Sequence, residues 1–265
     1  MAFSDPYSRP MTPNDSPSSA TAIGVDIGGT GIKGAPVDVA GGELTAERVR
    51  VLTPSPATPE RVSATVAEVV GHFDTVGPIG ITMPAVVRAG VVETAANIDP
   101  AWIGVDATTL FGGTLSREVT VMNDADAAGL AEMKFGAGKD HTGSVVVVTL
   151  GTGIGSAVFA DGILLPNTEL GHLPLNGRDA EEWAADSARN RDELSWKHWS
   201  HRLEEYFSLL ESLLWPELII VGGGVSKKAE KFLPRIDIRT PIVAAQLQNE
   251  AGIIGAALHA TLRES

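Results

Sequence analysis

Short apolar runs that end at glycines, alternating with stretches in which apolar residues recur every three or four positions, organise this chain. Thr21 to Ile27 (TAIGVDI) is rich in β-branched residues and stops at Gly28, which predicts a first strand. A second strand, Ile32 to Val39, follows so soon after Gly28, Gly29 and Gly31 that the pair reads as a hairpin, and Leu44 to Leu52 completes an antiparallel meander. Thr58 then stands as an N-cap before Pro59, and Val62, Val66, Val69 and Val70 share one face, so a helix is expected to cover the sheet. Strand patterns return at Pro78 to Thr82 and Glu118 to Met122, and the stretch between them, with TAANIDPAWIG, reads as a long functional loop. A helix from Asp124 carries Ala127, Leu130, Ala131 and Met133 and stops at Gly136.

The pattern then begins again. Ser144 to Leu150 is a continuous apolar strand, GTGIG is a glycine turn, and Ser156 to Phe159 opens another strand. Helices at Asp179 to Asn190 and Ser195 to Leu214, a strand at Glu217 to Val221, and helices near Ser226 to Phe232 and Glu250 to Leu262 complete the second half. Two copies of strand, glycine hairpin and strand predict an α/β protein of two similar lobes, each presenting a glycine hairpin to a shared cleft. The expected division is a disordered, Ser- and Pro-rich tail over 1–20, an N-terminal lobe over 21–122 and a C-terminal lobe over 123–249. The C-terminal helix, 250–263, is expected to pack back on the first lobe.

Composition narrows the chemistry. The 265 residues include no cysteine, which excludes disulfides, thiolate zinc sites and thiol nucleophiles. A formal charge of -13 argues against nucleic acid as a partner, because such binding draws its affinity from neutralised phosphates. The first residues lack the apolar run of a signal peptide, and no segment approaches the roughly 20 apolar residues of a membrane helix. A cytoplasmic location without a membrane partner is therefore expected.

Three glycine clusters follow apolar strands: Gly28, Gly29, Thr30 and Gly31; Gly151, Thr152, Gly153 and Gly155; and Gly222, Gly223 and Gly224. Glycine lets backbone N–H groups approach a phosphate without an intervening Cβ. One such turn is more often an ordinary hairpin, but three, one of them preceded by Asp26 at a strand end, favour phosphate binding. None fits a P-loop. On the residues alone Asp124 is either the N-cap of its helix or a general base, and Glu169 with His172 is either a surface pair or a reader of vicinal hydroxyls. Lys227, Lys228 and Lys231 form either a basic track or a solvated helix face.

DIGGTGIK, LGTGIG and VGGGVSKK, in that order and spacing, resemble the two phosphate segments and the adenosine segment of the sugar kinase, Hsp70 and actin superfamily. The resemblance implies two ribonuclease-H-like lobes around a central cleft. MNDADAAGLAE followed by NTELGHL resembles the ROK family of glucokinases and sugar repressors. TPSPATPE, TAANIDPAWIG, PNTELGHL and WPELIIVGGGVSKKAEKF are similar to its actinobacterial, polyphosphate-using branch of glucokinases and glucomannokinases, over residues 21 to 262.

That resemblance implies transfer of the terminal phosphoryl group of inorganic polyphosphate or ATP to the 6-hydroxyl of glucose, and of mannose as well. Asp124 would be the catalytic base, with Asn97, Asn123, Glu169, His172 and Glu181 contacting the sugar, although Glu182 beside Glu181 leaves the register open. The first two glycine clusters and Lys33 would hold phosphate, and the third, with Lys227 and Lys228, the nucleotide or polyphosphate tail. Asp26 would meet Mg2+ through water. Zinc-bearing ROK members carry three cysteines after the Gly-His; here LPLNGRDAEEWAADSA has none, so structural zinc is rejected and His172 must be oriented by a protein hydrogen bond or by packing. The alternatives are a strictly ATP-dependent glucokinase and a sugar-sensing repressor, for which the tail is too short and proline-rich to supply a helix-turn-helix. Monomer and homodimer stay equally open.

Overall fold

The computed structural model of this chain describes residues 21–96 and 98–262, so the expected tail and Asn97 lie outside the described residues. The chain forms two compact units: described residues up to Ala131 with those from Glu250 onward, and Glu132 to Asn249.

The first unit is built on β1 (Thr21–Gly28) and β2 (Gly31–Asp38), an antiparallel hairpin in which Gly28 faces Gly31 and Gly29-Thr30 make the turn. The expected third strand arrives as two pieces, β3 (Glu43–Leu44) and β4 (Val49–Val51), both paired to β2. Pro36 explains the gap, since its carbonyl accepts from Thr45 N but it has no N–H to return, and the ladder cannot run through it. The helix α1 (Pro59–Val70) follows with Thr58 at its cap, burying Val62, Val66 and Val69. Next come β5 (Ile79–Met83) and a small hairpin of β6 (Val87–Arg88) and β7 (Val91–Val92).

The stretch read as a loop contains a further helix, α2 (Ala107–Leu115). Gly112 and Gly113 weaken its helical signal. Its start is fixed by Asp106, whose carboxylate accepts from Thr109 N at 2.8 Å and Thr109 Oγ1 at 2.7 Å. These bonds hold the Asp106 carboxyl below its ordinary pKa. Phe111 buries its ring against Trp102. β8 (Val119–Asn123) runs parallel to β5 and passes directly into α3 (Asp124–Phe135). The sheet order is β3-β2-β1-β5-β8.

The second unit repeats that succession. β9 (Ser144–Leu150), β10 (Ile154–Ala160) and β11 (Ile163–Leu165) form the meander, and the short hairpin β12 (Pro174–Leu175) and β13 (Arg178–Asp179) lies apart. The single helix expected over 179–190 is broken into α4 (Ala180–Ala184) and α5 (Asp186–Arg191) by Ala185, which is extended. The last carbonyls of α4 find side chains instead of helix amides: Glu182 O accepts from Arg191, Trp183 O from Arg202 and Ala184 O from Trp199 Nε1.

Helix α6 (Trp196–Leu214) covers the sheet with Trp199, Leu203, Tyr206, Phe207 and Leu210. β14 (Leu218–Gly222) and β15 (Ile242–Ala244) continue the sheet in parallel, giving the order β11-β10-β9-β14-β15. The helix expected at Ser226 to Phe232 is a 3₁₀ run over Gly224–Lys231, irregular at Lys228.

From Glu250 the chain returns to the first unit as α7 (Ala251–Thr261), which lies against β1 and β5. Helix and sheet meet backbone to backbone, because a Cβ on Gly24 would strike the carbonyl of Ile253 and one on Gly80 that of Ala256. Just inside the second unit, Glu132 buries its carboxylate, which accepts from Ala137 N at 2.9 Å, Gln246 N at 3.1 Å and Leu247 N at 2.7 Å. One side chain thus joins the end of α3 to the segment that leads into α7. No helix among the described residues is long and apolar enough to cross a membrane.

Candidate active site

In the first unit three sequence-predicted groups occupy the carboxyl ends of the parallel strands and the hairpin turn. At the turn, Thr53 Oγ1 donates to Gly28 O at 2.5 Å and Arg50 Nη2 to Thr30 O at 2.9 Å. The Arg50 guanidinium lies 2.6 Å from where a Cβ on Gly31 would stand, so a side chain there would displace the arginine from the turn. Gly29 and Thr30 are exposed. Asp26 accepts from Lys33 Nζ at 3.2 Å and from Thr82 Oγ1 at 3.1 Å, and Gly252 at the start of α7 brings bare backbone beside its carboxylate.

Asn123 ends β8 and caps α3: its Oδ1 accepts from Ala125 N at 2.8 Å and Asp126 N at 3.0 Å. Its Nδ2 donates to Ala85 O at 3.1 Å, and the residue is 7% exposed. Asn123 thus caps two amides, and Asp124 Oδ1 also accepts from Ala125 N at 2.9 Å. Asp124 occupies the first helical position, partly exposed, where the positive end of the helix dipole stabilises a carboxylate.

In the second unit Glu169, His172 and Glu181 come together, and a residue that sequence reasoning missed joins them. His172 Nδ1 donates to Asp179 Oδ2 at 2.9 Å, while its Nε2 lies 3.6 Å from Glu169 Oε2. Asp179 reaches the ring because the β12–β13 hairpin folds back over a two-residue turn, Asn176 (φ 53°) and Gly177 (φ 78°). That Asn-Gly pair was an available hairpin signal. Glu205 anchors the hairpin, accepting from Asn176 Nδ2 at 2.7 Å and Trp183 Nε1 at 2.9 Å.

The two neighbouring glutamates have different surroundings. Glu181 Oε2 accepts from Ile154 N at 3.1 Å and bears electrostatically on both Glu169 and His172. Glu182 is exposed and acts on Arg191. Burial pushes the Glu169 carboxyl above its ordinary pKa, against the pull of His172 and with the help of Glu181. The Asp179 hydrogen bond raises His172, desolvation opposes it, and Glu181 and Glu169 add to the rise. Both groups thus hold a proton more readily than they would in water.

The two glycine turns of this unit are braced from behind. Ser187, also missed in the sequence, donates its N–H to Gly151 O at 3.1 Å and its hydroxyl to Thr152 O at 2.5 Å. The break before α5 is what points Ser187 N at the turn. Gly155 lies in β10 opposite Thr149, which also pairs with Gly222 at the end of β14. Gly223, at φ +82°, lies so close to the Leu150 backbone that no side chain fits. Ser226 bonds back to Gly223 O through its N–H at 3.1 Å and its hydroxyl at 2.8 Å; Gly224, Lys227 and Lys228 are exposed.

Among the described residues no three histidine or acidic side chains form a metal cage. A magnesium ion that retains waters and takes phosphate oxygens needs only one or two protein carboxylates, and Asp26, fixed by Thr82 and Lys33 and 19% exposed, fits that role.

The ROK family model matches residues 22–190. The polyphosphate glucokinase of Mycobacterium tuberculosis (strain H37Rv) is 49% identical over 249 residues, covering 92% of this chain and 94% of that protein. The crystal structure of the inorganic polyphosphate/ATP-glucomannokinase from Arthrobacter sp. strain KM superposes with a TM-score of 0.90 at 53% identity, over 92% of this chain and 99% of that one. A ROK family glucokinase from Streptomyces griseus, solved with glucose and AMPPNP, gives 0.80 at 26% identity over 92% and 100%.

Proposed function

This chain belongs to the ROK family, and from that premise we infer that it is a glucokinase, transferring the terminal phosphoryl group of inorganic polyphosphate or ATP to the 6-hydroxyl of glucose. What carries the reading is the match, over nearly the whole chain, to relatives named for polyphosphate-dependent phosphorylation of glucose. Mannose is proposed as a second acceptor, on the name of the Arthrobacter relative. A cytoplasmic site of action is part of the proposal.

The proposed mechanism assigns each step to a side chain. The 6-hydroxyl oxygen attacks the terminal phosphorus in line, its proton passes to Asp124, and the bond to the bridging oxygen breaks to release ADP or a polyphosphate shorter by one unit. Asn123 has one amide hydrogen beyond those the fold uses, and that hydrogen is offered to a sugar hydroxyl. Glu169, His172 and Glu181 read the remaining hydroxyls, with Asn97 as a further contact. The amides of the glycine turns, with Lys33, hold the donor phosphates. Magnesium, when bound beside Asp26, supplies charge neutralisation at the phosphate oxygens.

Asp179 orients His172 without touching the sugar in this scheme. The raised pKa of His172 means that its charged form, donating from both nitrogens, persists further toward neutral pH than in a free imidazole. Glucose KM should therefore rise as pH passes upward through that raised value. In Asp179→Asn the carboxylate acceptor is lost, His172 gives up its proton at lower pH, and the rise in KM should begin at lower pH than in wild type, with kcat within roughly twofold. Identical KM profiles in the two proteins would remove Asp179 from the site.

The deciding experiment is the initial rate of glucose 6-phosphate formation with nucleotide-free polyphosphate and with ATP, in separate assays. Activity with both supports the proposal. Activity with ATP alone would make this a strictly ATP-dependent glucokinase, and no activity with either would leave a sugar-binding protein.

A further inference from the structure

Three cationic side chains converge on one tryptophan of the second unit. Arg189 Cζ lies 4.3 Å from the centre of the Trp196 ring, Lys231 Nζ 5.7 Å and Lys228 Nζ 5.9 Å. The ring is itself stacked on Phe232 at 6.1 Å and 14°. What the group offers a ligand is therefore concentrated positive charge and not an open aromatic face for a nucleobase. Asp186 and Asn190 hold the Arg189 guanidinium, at 2.9 and 2.8 Å. Lys228 and Lys231 are exposed and are held by the ring alone. On a chain with a formal charge of -13, residues 222–236 carry Lys227, Lys228, Lys231 and Arg235 against the one acid Glu230. Like charges are gathered here at a cost, which an anion would offset.

The cluster also has a fixed place beside the paired glycine turns. Arg189 follows two residues after Ser187, which is bonded to the carbonyls of Gly151 and Thr152. Lys228 and Lys231 belong to the 3₁₀ run that starts at Gly224, next to the glycine that rests on Leu150.

We propose that Arg189, Lys228 and Lys231, gathered on Trp196, bind the inner phosphoryl groups of an inorganic polyphosphate chain and favour that donor over a nucleotide. The inference rests on the reading of polyphosphate as a donor and adds the place where the chain lies. The test compares wild type with Lys228→Ala/Lys231→Ala, two exposed positions whose truncation leaves the core intact, using long-chain polyphosphate and ATP at saturating glucose. The variant's KM for polyphosphate should rise about tenfold, with kcat and the KM for ATP each within roughly twofold. Added salt should weaken wild-type use of polyphosphate more steeply than that of the variant. An unchanged polyphosphate KM in an active variant overturns the proposal, as does an equal rise with ATP, which would mark a site common to both donors. A wild type that uses ATP but not polyphosphate overturns the functional reading itself, and the inference with it.

Discussion

Asp124→Asn should lose about 10² to 10⁴ in kcat with either donor, while the KM for glucose moves by no more than a few fold. The substitution keeps size and hydrogen-bonding reach but removes the group that takes the 6-hydroxyl proton. The fold should tolerate it, because the cap of α3 is the side chain of Asn123, whose bonds to Ala125 N and Asp126 N stay in place. The lost interaction of a carboxylate with the helix dipole costs about 0.3 to 1 kcal/mol. Initial rates with both donors, beside a thermal melt, separate chemistry from folding. A well-folded variant with kcat within threefold or so of wild type would dismiss Asp124 as the base. Asn123→Ala, in contrast, removes the cap, the tie to Ala85 and the proposed sugar contact together, and should lower stability by about 2 kcal/mol as well as raise the KM for glucose.

The largest stability effect is expected at Glu132. In Glu132→Ala three backbone donors, on Ala137, Gln246 and Leu247, lose their acceptor in a buried place. At about 1 kcal/mol or more each, the loss comes to roughly 3 kcal/mol and a melting temperature lower by roughly 6 to 12 °C. Glu132→Gln keeps one acceptor oxygen and should fall between the two. A melt of Glu132→Ala that coincides with wild type would mean that water takes the carboxylate's place and that the joint contributes nothing.

Most of the architecture was written in local patterns. The two strand–glycine–strand hairpins stand where the apolar runs meet glycines, since a glycine cluster ending a β-branched run has few other uses. The errors have particular causes. Pro36 sat within an apolar run, and the N–H missing from its edge side divided β3 from β4. The glycines at 112 and 113 obscured α2, although Asp106 with Thr109 was a legible cap. The continuous helix read over 179–190 breaks because Ser187 N is drawn to Gly151 O, a partner 36 positions away that no window on the sequence reveals.

The proposed site divides along the same line. Asp124, Glu169, His172 and the glycine turns were readable as motif residues. Asp179, Ser187, Arg50 and Thr82 were not, because each acts by holding another group. Only the Asn176-Gly177 turn gave warning, by placing Asp179 opposite Pro174.

The bond from Ile154 N to Glu181 has a consequence for directed evolution. Glu181 belongs to the cluster proposed to read the sugar, and Ile154 is the first residue after the second glycine turn; Gly171, between Glu169 and His172, packs its backbone against the Ile154 carbonyl. A library that varies Glu181 in search of new acceptors will therefore also select among altered forms of that turn, which is proposed to hold the donor. Improved acceptor clones from such a library should show a changed preference between polyphosphate and ATP, so a screen run on one donor alone would discard variants that had only exchanged it.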